Sequence, residues 1–235
     1  MAKGDDKLPS RAASADVDAF LRRVAAVPPP RPAGGRGRLI FAMDATASRE
    51  PTWDRACQLQ GEMFEATAEL GGLDVQLVYF RGFGECRHSK WVADSRALVG
   101  LMTAVSCRGG FTQIGKVLRH AIKETKRERV GALVFVGDCM EEDVDALCHL
   151  AGELGLLGVP AFIFHEGGEP VAAGAFRQIA RLTKGAYCSF DAASAAQLRD
   201  LLGAVAVYAA GGRKALEDYG QRAGATVLQI ARQVR

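Results

Sequence analysis

Six cysteines stand singly along the chain (Cys57, Cys86, Cys107, Cys139, Cys148 and Cys188), and no CxxC pair occurs. A zinc site made from Cys86 and His88 with distant partners would therefore lack the paired knuckles that such sites use. No apolar segment stands near the start, so no secretory leader is read there, and the expectation is a cytoplasmic protein with reduced thiols. A membrane-spanning helix needs ~20 uninterrupted apolar residues. No run reaches that length, and the stretch from Leu150 to Phe164 is broken by Glu153 and Pro160. Neither a GxGxxG turn behind a strand nor a Walker-type GxxxxGK[ST] loop is present, which leaves a nucleotide-binding domain without support.

Charge of one sign is also scarce where it would matter for nucleic acid. The net charge of +3 comes from the two ends, with Lys3, Lys7, Arg11, Arg22, Arg23, Arg31, Arg36 and Arg38 at one and Arg213, Lys214, Arg222, Arg232 and Arg235 at the other. The body between them is mildly acidic, which argues against a dedicated nucleic-acid groove. What is present is the composition of a globular protein: 49% hydrophobic and 24% charged over 235 residues, enough for one domain with extensions.

Three zones follow. Residues 1–37 contain Pro28-Pro-Pro-Arg-Pro32 and Gly34-Gly-Arg-Gly37, a stiff piece running into a flexible one, preceded by Val17, Phe20, Leu21 and Val24 at helical spacing. Residues 38–210 alternate strand-like and helical stretches. Residues 211–235 begin with Gly211-Gly212 and carry Val227, Ile230, Ala231 and Val234, an apolar stripe expected to pack back on the domain.

In the middle zone, strands are expected from Leu39, over Val75 to Phe80, through Arg87-His88 to Trp91-Val92 as a hairpin and short edge strand after an Arg81-Gly-Phe-Gly84 turn, over Val130 to Val136, Val159 to Phe164 and Ala186 to Phe190. Helices are expected from Pro51 to Gly71-Gly72, over Ala97 to Val105, from Ile114, over Val144 to Leu156, Phe176 to Leu182 and Ala195 to Tyr208. Such alternation predicts an α/β fold: a doubly wound, mostly parallel six-stranded sheet with one short antiparallel edge strand and helices on both faces.

The stretch Leu39-Ile-Phe-Ala-Met-Asp-Ala-Thr-Ala-Ser48 reads as a buried parallel strand that delivers Asp44 to the carboxyl edge of the sheet, followed by the alternating hydroxyls of Thr46 and Ser48. Ligands of open α/β sheets bind at that edge, and a carboxylate with two hydroxyls suits a hard cation. Thr112 follows Gly109-Gly110 at a helix start, where alone it would be an ordinary N-cap, and Asp138 ends a later apolar strand. Cys139 and Met140 stand beside Asp138. His165-Glu166 and the group Arg49, Glu50, Trp53, Arg81 and Phe83 are read as rim positions, the last group as potential partner anchors.

Taken in order, Asp44-Ala-Thr-Ala-Ser48, Thr112 and Asp138 resemble the von Willebrand factor A (VWA) domain, whose metal-ion-dependent adhesion site uses a DxSxS run, a threonine and an aspartate. Thr46 replaces the family's first serine and keeps the hydroxyl. The resemblance implies that Asp44, Thr46, Ser48, Thr112 and Asp138 hold Mg2+ or Mn2+, with Asp44 and Asp138 ending adjacent strands. It implies that an Asp or Glu of a protein partner takes the open position, and that the chain is an interaction adaptor rather than an enzyme. Intracellular members of the family often work beside AAA+ ATPases. The main alternative is a haloacid-dehalogenase-like phosphohydrolase, which Asp44 after an apolar strand and Gly137-Asp138 followed by Asp143 also resemble. There Asp44 would be the nucleophile, Thr112 would bind phosphate, and Lys116 or Lys123 would neutralise charge, but Thr46 stands where its second acid is needed.

Overall fold

The computed structural model describes residues 36–49, 72–190 and 202–211, with 215 and 218. The expected helices at Pro51 and in the N-terminal extension, and the C-terminal stripe, lie outside the described residues, as do Glu50 and Trp53.

Six strands, β1 (Gly37–Asp44), β2 (Leu73–Arg81), β3 (Glu85–His88), β4 (Ala132–Gly137), β5 (Ala161–Glu166) and β6 (Ala186–Phe190), form one sheet in the order β3-β2-β1-β4-β5-β6. Every neighbouring pair is parallel except β2 and β3. The helices are α1 (Ser95–Thr103), α2 (Ile114–Arg127), α3 (Val144–Leu156), α4 (Pro170–Leu182) and α5 (residues 202–211).

β1 sits inside the sheet because both of its faces are apolar. Leu39, Phe41 and Met43 point into a core shared with Leu98 and Met102 of α1 and Val205 and Tyr208 of α5. Ile40 and Ala42 point the other way, into a core closed by Val117 and Leu118 of α2, Leu147 and Leu154 of α3, and Phe176 and Ile179 of α4. Period-two alternation thus divides one continuous apolar run between two cores, and layers of helix cover the sheet on both sides.

Local boundaries differ from the sequence reading where side chains cap the backbone. α4 begins at Pro170 rather than Phe176, since the Glu169 carboxylate accepts from the N–H groups of Val171 and Ala172 and Pro170 occupies the first turn. The edge strand lies at Glu85–His88, and Val92 contributes only a bridge to Val75. The cap position of α2 is Gln113, not Thr112, and its side chain makes no capping bond. Glu142 supplies the cap instead, accepting from Ile114 N–H and, at 2.9 Å, from Gly115 N–H.

β1 leads on to β2 on one side, while β4 lies on its other side, so the chain changes winding direction between β1 and β4. Crevices at such switch points, outside the carboxyl ends of the strands, are where this architecture accepts ligands.

Candidate metal centre

β1 ends in Asp44, and the pairing of Met43 with Val136 brings Gly137 alongside it. A Cβ on Gly137 would stand 2.7 Å from the Phe135 ring and 3.5 Å from the Asp44 Cβ, so glycine lets the two strand ends close up. The next residue is Asp138. One oxygen of Asp44, one of Asp138 and the Cys139 Sγ all lie within 4.8 Å of one another.

Asp44 is fully buried. Its Oδ1 accepts from Thr46 N–H at 2.7 Å, whereas its Oδ2 has no hydrogen-bond partner among the described residues, and neither does the buried Oδ1 of Asp138. Two carboxylate oxygens shielded from water with no donor are costly in isolation, and a cation between them removes that cost. The Thr46 and Ser48 hydroxyls lie 3.0 Å apart, Thr46 buried and Ser48 exposed. These oxygens fit a hard divalent ion: two carboxylates with hydroxyls beside them, and too few charges for a carboxylate-rich calcium cage.

Thr112 is held by Glu141 on the loop after Asp138: Thr112 N–H donates to Glu141 Oε2 and Glu141 N–H donates to Thr112 Oγ1, each at 3.0 Å. Its described contacts are with that residue rather than with either aspartate. The Thr112 loop is tied over the strand ends by Arg108 N–H to Ala45 O at 3.0 Å and Phe111 N–H to Gly82 O at 3.2 Å. Gly110 permits this approach, since a Cβ there would fall 2.0 Å from Gly82 O, while Gly109 faces open space. Phe83 and Phe111 remain exposed and pack edge to face, ring centroids 5.4 Å apart.

The electrostatics follow from burial. Desolvation raises the Asp44 carboxyl from 3.8 to about 6, with hydrogen bonding by Thr46 opposing and the Asp138 charge adding. Burial pushes the Cys139 thiol up to about 12, reinforced by Asp138 and Asp44. A bound cation would reverse the sign of the charge that both groups face.

Two rim readings are corrected. Arg49 is 1% exposed, ion-paired with Glu166 at the end of β5 rather than offered to a partner. His165 is wholly buried: its Nε2 lies 3.0 Å from Asp138 O and its Nδ1 2.9 Å from the Tyr187 hydroxyl. A carbonyl only accepts, so Nε2 carries the proton and Nδ1 accepts from Tyr187. Burial holds this ring below the usual histidine range, favouring that neutral form. His165 thereby fixes the backbone of Asp138 from beneath.

Glu141, Glu142 and the positioning role of His165 were not foreseen in the sequence. Lys116 donates to Gly84 O at 2.7 Å and Gln113 Oε1 at 2.8 Å, Lys123 is exposed, and Asp143 caps α3 by accepting from Ala146 N–H at 2.8 Å. Lys116 and Asp143 are thus engaged within the fold, and Lys123 faces solvent.

The sheet order and the single antiparallel edge strand are those of the VWA fold. No protein-family model matches the chain, and no curated protein does. Solved structures do. The VWA domain of SpRpn10 is 15% identical with a TM-score of 0.57, over 71% of this chain and 94% of that one. A von Willebrand factor type A protein from Catenulispora acidiphila is 16% identical with a TM-score of 0.55, over 72% of this chain and 42% of that one. The PilB minor pilin from Streptococcus sanguinis is 11% identical with a TM-score of 0.55, over 83% of this chain and 65% of that one. The match spans less than two thirds of the latter two chains. At these identities the likeness is one of fold.

Among the described residues no helix is long and apolar enough to cross a membrane.

Proposed function

We propose that this chain is a metal-dependent protein-interaction module, an adaptor in which Asp44, Thr46, Ser48, Thr112 and Asp138 hold Mg2+ or Mn2+. The observation that carries the reading is that Asp44 and Asp138, each with a buried carboxylate oxygen that has no hydrogen-bond partner among the described residues, are brought together at the ends of neighbouring strands on the carboxyl edge. The cation, when bound, supplies positive charge that an Asp or Glu of a partner completes. The chain's own residues do the rest: Asp44 and Asp138 anchor the charge, Thr46 and Ser48 add neutral oxygens, and Thr112, positioned by Glu141, adds another from the facing loop. Phe83 and Phe111 give the neighbouring loops an apolar foothold for the same partner.

The partner belongs to the proposal as well. A AAA+ ATPase or its complex is the class implied by the sequence resemblance. A cytoplasmic, reducing setting goes with this reading, and Cys86, Cys139 and Cys148 are free thiols. Binding rather than hydrolysis is favoured by Thr46 at the position of the missing acid and by the engagement of Lys116 and Asp143 elsewhere.

The test is a pulldown with the intact chain and with Asp44→Ala, each with Mg2+ and with EDTA, beside a phosphoester hydrolysis assay. Capture that needs both Asp44 and the metal, without turnover, is expected. Mg2+-dependent turnover abolished by Asp44→Asn would establish the phosphohydrolase instead.

A further inference from the structure

We propose that Cys139 is a third, soft ligand of this centre, so that besides Mg2+ on oxygen donors it takes a borderline cation such as Zn2+ or Co2+ on two carboxylates and a thiolate. The inference rests on the reading that Asp44 and Asp138 share a cation, and it goes further by assigning a donor that the oxygen-only set omits.

Geometry comes first. The Cys139 Sγ belongs to the same cluster as the aspartate oxygens, all three ligand atoms within 4.8 Å of one another. Donors on one zinc ion sit about 3–4 Å apart, given metal–sulfur and metal–oxygen lengths of roughly 2.3 and 2.1 Å. Side-chain rotation of about an ångström therefore gathers all three.

A second observation points to a ligand independently of the clustering. Asp44 is fully buried, and its Oδ2 is left without a partner beside this group. The thiol is free, and no hydrogen bond among the described residues engages its Sγ, whereas the sulfurs of Cys148 and Cys188 do have acceptors.

The backbone is also prepared. Cys139 follows Asp138 directly, and the His165 Nε2–H bond to Asp138 O, 3.0 Å long, holds the peptide that joins the two ligands. That is the outer support that metal-binding side chains generally need.

Donor chemistry then sets selectivity. Mg2+ demands six oxygens and ignores sulfur, while Zn2+ and Co2+ accept a mixed oxygen–sulfur set with few protein ligands and an open position. On coordination the sulfur–metal bond forms as the thiol proton leaves to solvent, with no change of oxidation state. The open position remains for water or a partner carboxylate.

Co2+ serves as the probe, because thiolate ligation gives an intense near-ultraviolet charge-transfer band that oxygen ligation lacks. The intact chain should show the band, and Cys139→Ser and Asp44→Ala should each lose it. Cys139→Ser should keep its thermal stabilisation by Mg2+, yet bind Zn2+ more weakly by more than the roughly 10-fold that even outer partners of a metal site cost when removed. A band that survives in Cys139→Ser, or a wild type that binds Mg2+ and shows no band, would overturn the assignment while leaving the magnesium reading intact. A wild type that binds neither Mg2+ nor Co2+ would remove both.

Discussion

Thr112 and Glu141 hold each other by two reciprocal hydrogen bonds, each 3.0 Å, in which the backbone N–H of either residue donates to the other's side chain. The pair joins the glycine loop before α2 to the loop after β4, the two segments that carry Thr112 and Asp138. Each bond contributes about 1 kcal/mol net.

Thr112→Val should therefore lower unfolding stability by roughly 1–2 kcal/mol, because it leaves the Glu141 N–H without its acceptor. Glu141→Ala should cost about 1 kcal/mol, and the double variant should cost less than the sum, with a coupling of about 0.5–1.5 kcal/mol. Urea unfolding of the four proteins measures this. Strict additivity would show that the loops are held by other contacts.

Asp44→Asn should stabilise the metal-free protein. Burial raises this carboxyl to about 6 from 3.8, so the folded state binds more protons than the unfolded one between those values, and the ionised group costs stability above them. In EDTA at pH 7.5 the variant should gain roughly 1–3 kcal/mol, and the gain should fade toward pH 4. Added Mg2+ should raise the melting temperature of the wild type and leave the variant unmoved. An apo variant less stable than the wild type at neutral pH would mean that the buried charge is already compensated.

His120, midway along α2, sets an opposite slope. Its ring stacks on His88 with centroids 4.4 Å apart, its Nε2 lies 2.8 Å from Gln76 Oε1, and burial, followed by the His88 charge, lowers it from 6.5 to about 4. The unfolded chain then takes up a proton near pH 6.5 that the folded one refuses until about pH 4, so stability is present above that window and lost as pH falls through it. The ring is only half-buried, and solvent screening limits the loss to roughly 1–2 kcal/mol. Comparing wild type with His120→Gln at pH 7.5 and 4.5 isolates this from the Asp44 contribution. Parallel losses in the two proteins would place the proton elsewhere.

The sheet was legible in the sequence because its strands are short apolar runs bounded by glycine, and Asp44 and Asp138 were legible because a carboxylate closing such a run is chemically out of place. Their proximity was not. Spacing locates strand ends, while adjacency depends on strand order, which entered through the family resemblance and is now seen in the pairing of Met43 with Val136. The roles of Glu141 and Glu142 are not legible in the sequence, because a run of acids after a strand looks like solvated surface until the opposing N–H groups are in place. Arg49 and His165 read as rim residues for the same reason: charge suggests exposure, and only the buried contacts with Glu166 and with Asp138 O reverse that.

Calorimetric titration of Mg2+ into the wild type and into Asp138→Ala tests the metal centre most directly. One cation per chain is expected for the wild type and none for the variant, with thermal stabilisation of the wild type by about 2.7 kcal/mol once the ion stands at a hundred times its dissociation constant. Equal binding by the two proteins, or no binding by the wild type, would contradict a site shared between Asp44 and Asp138.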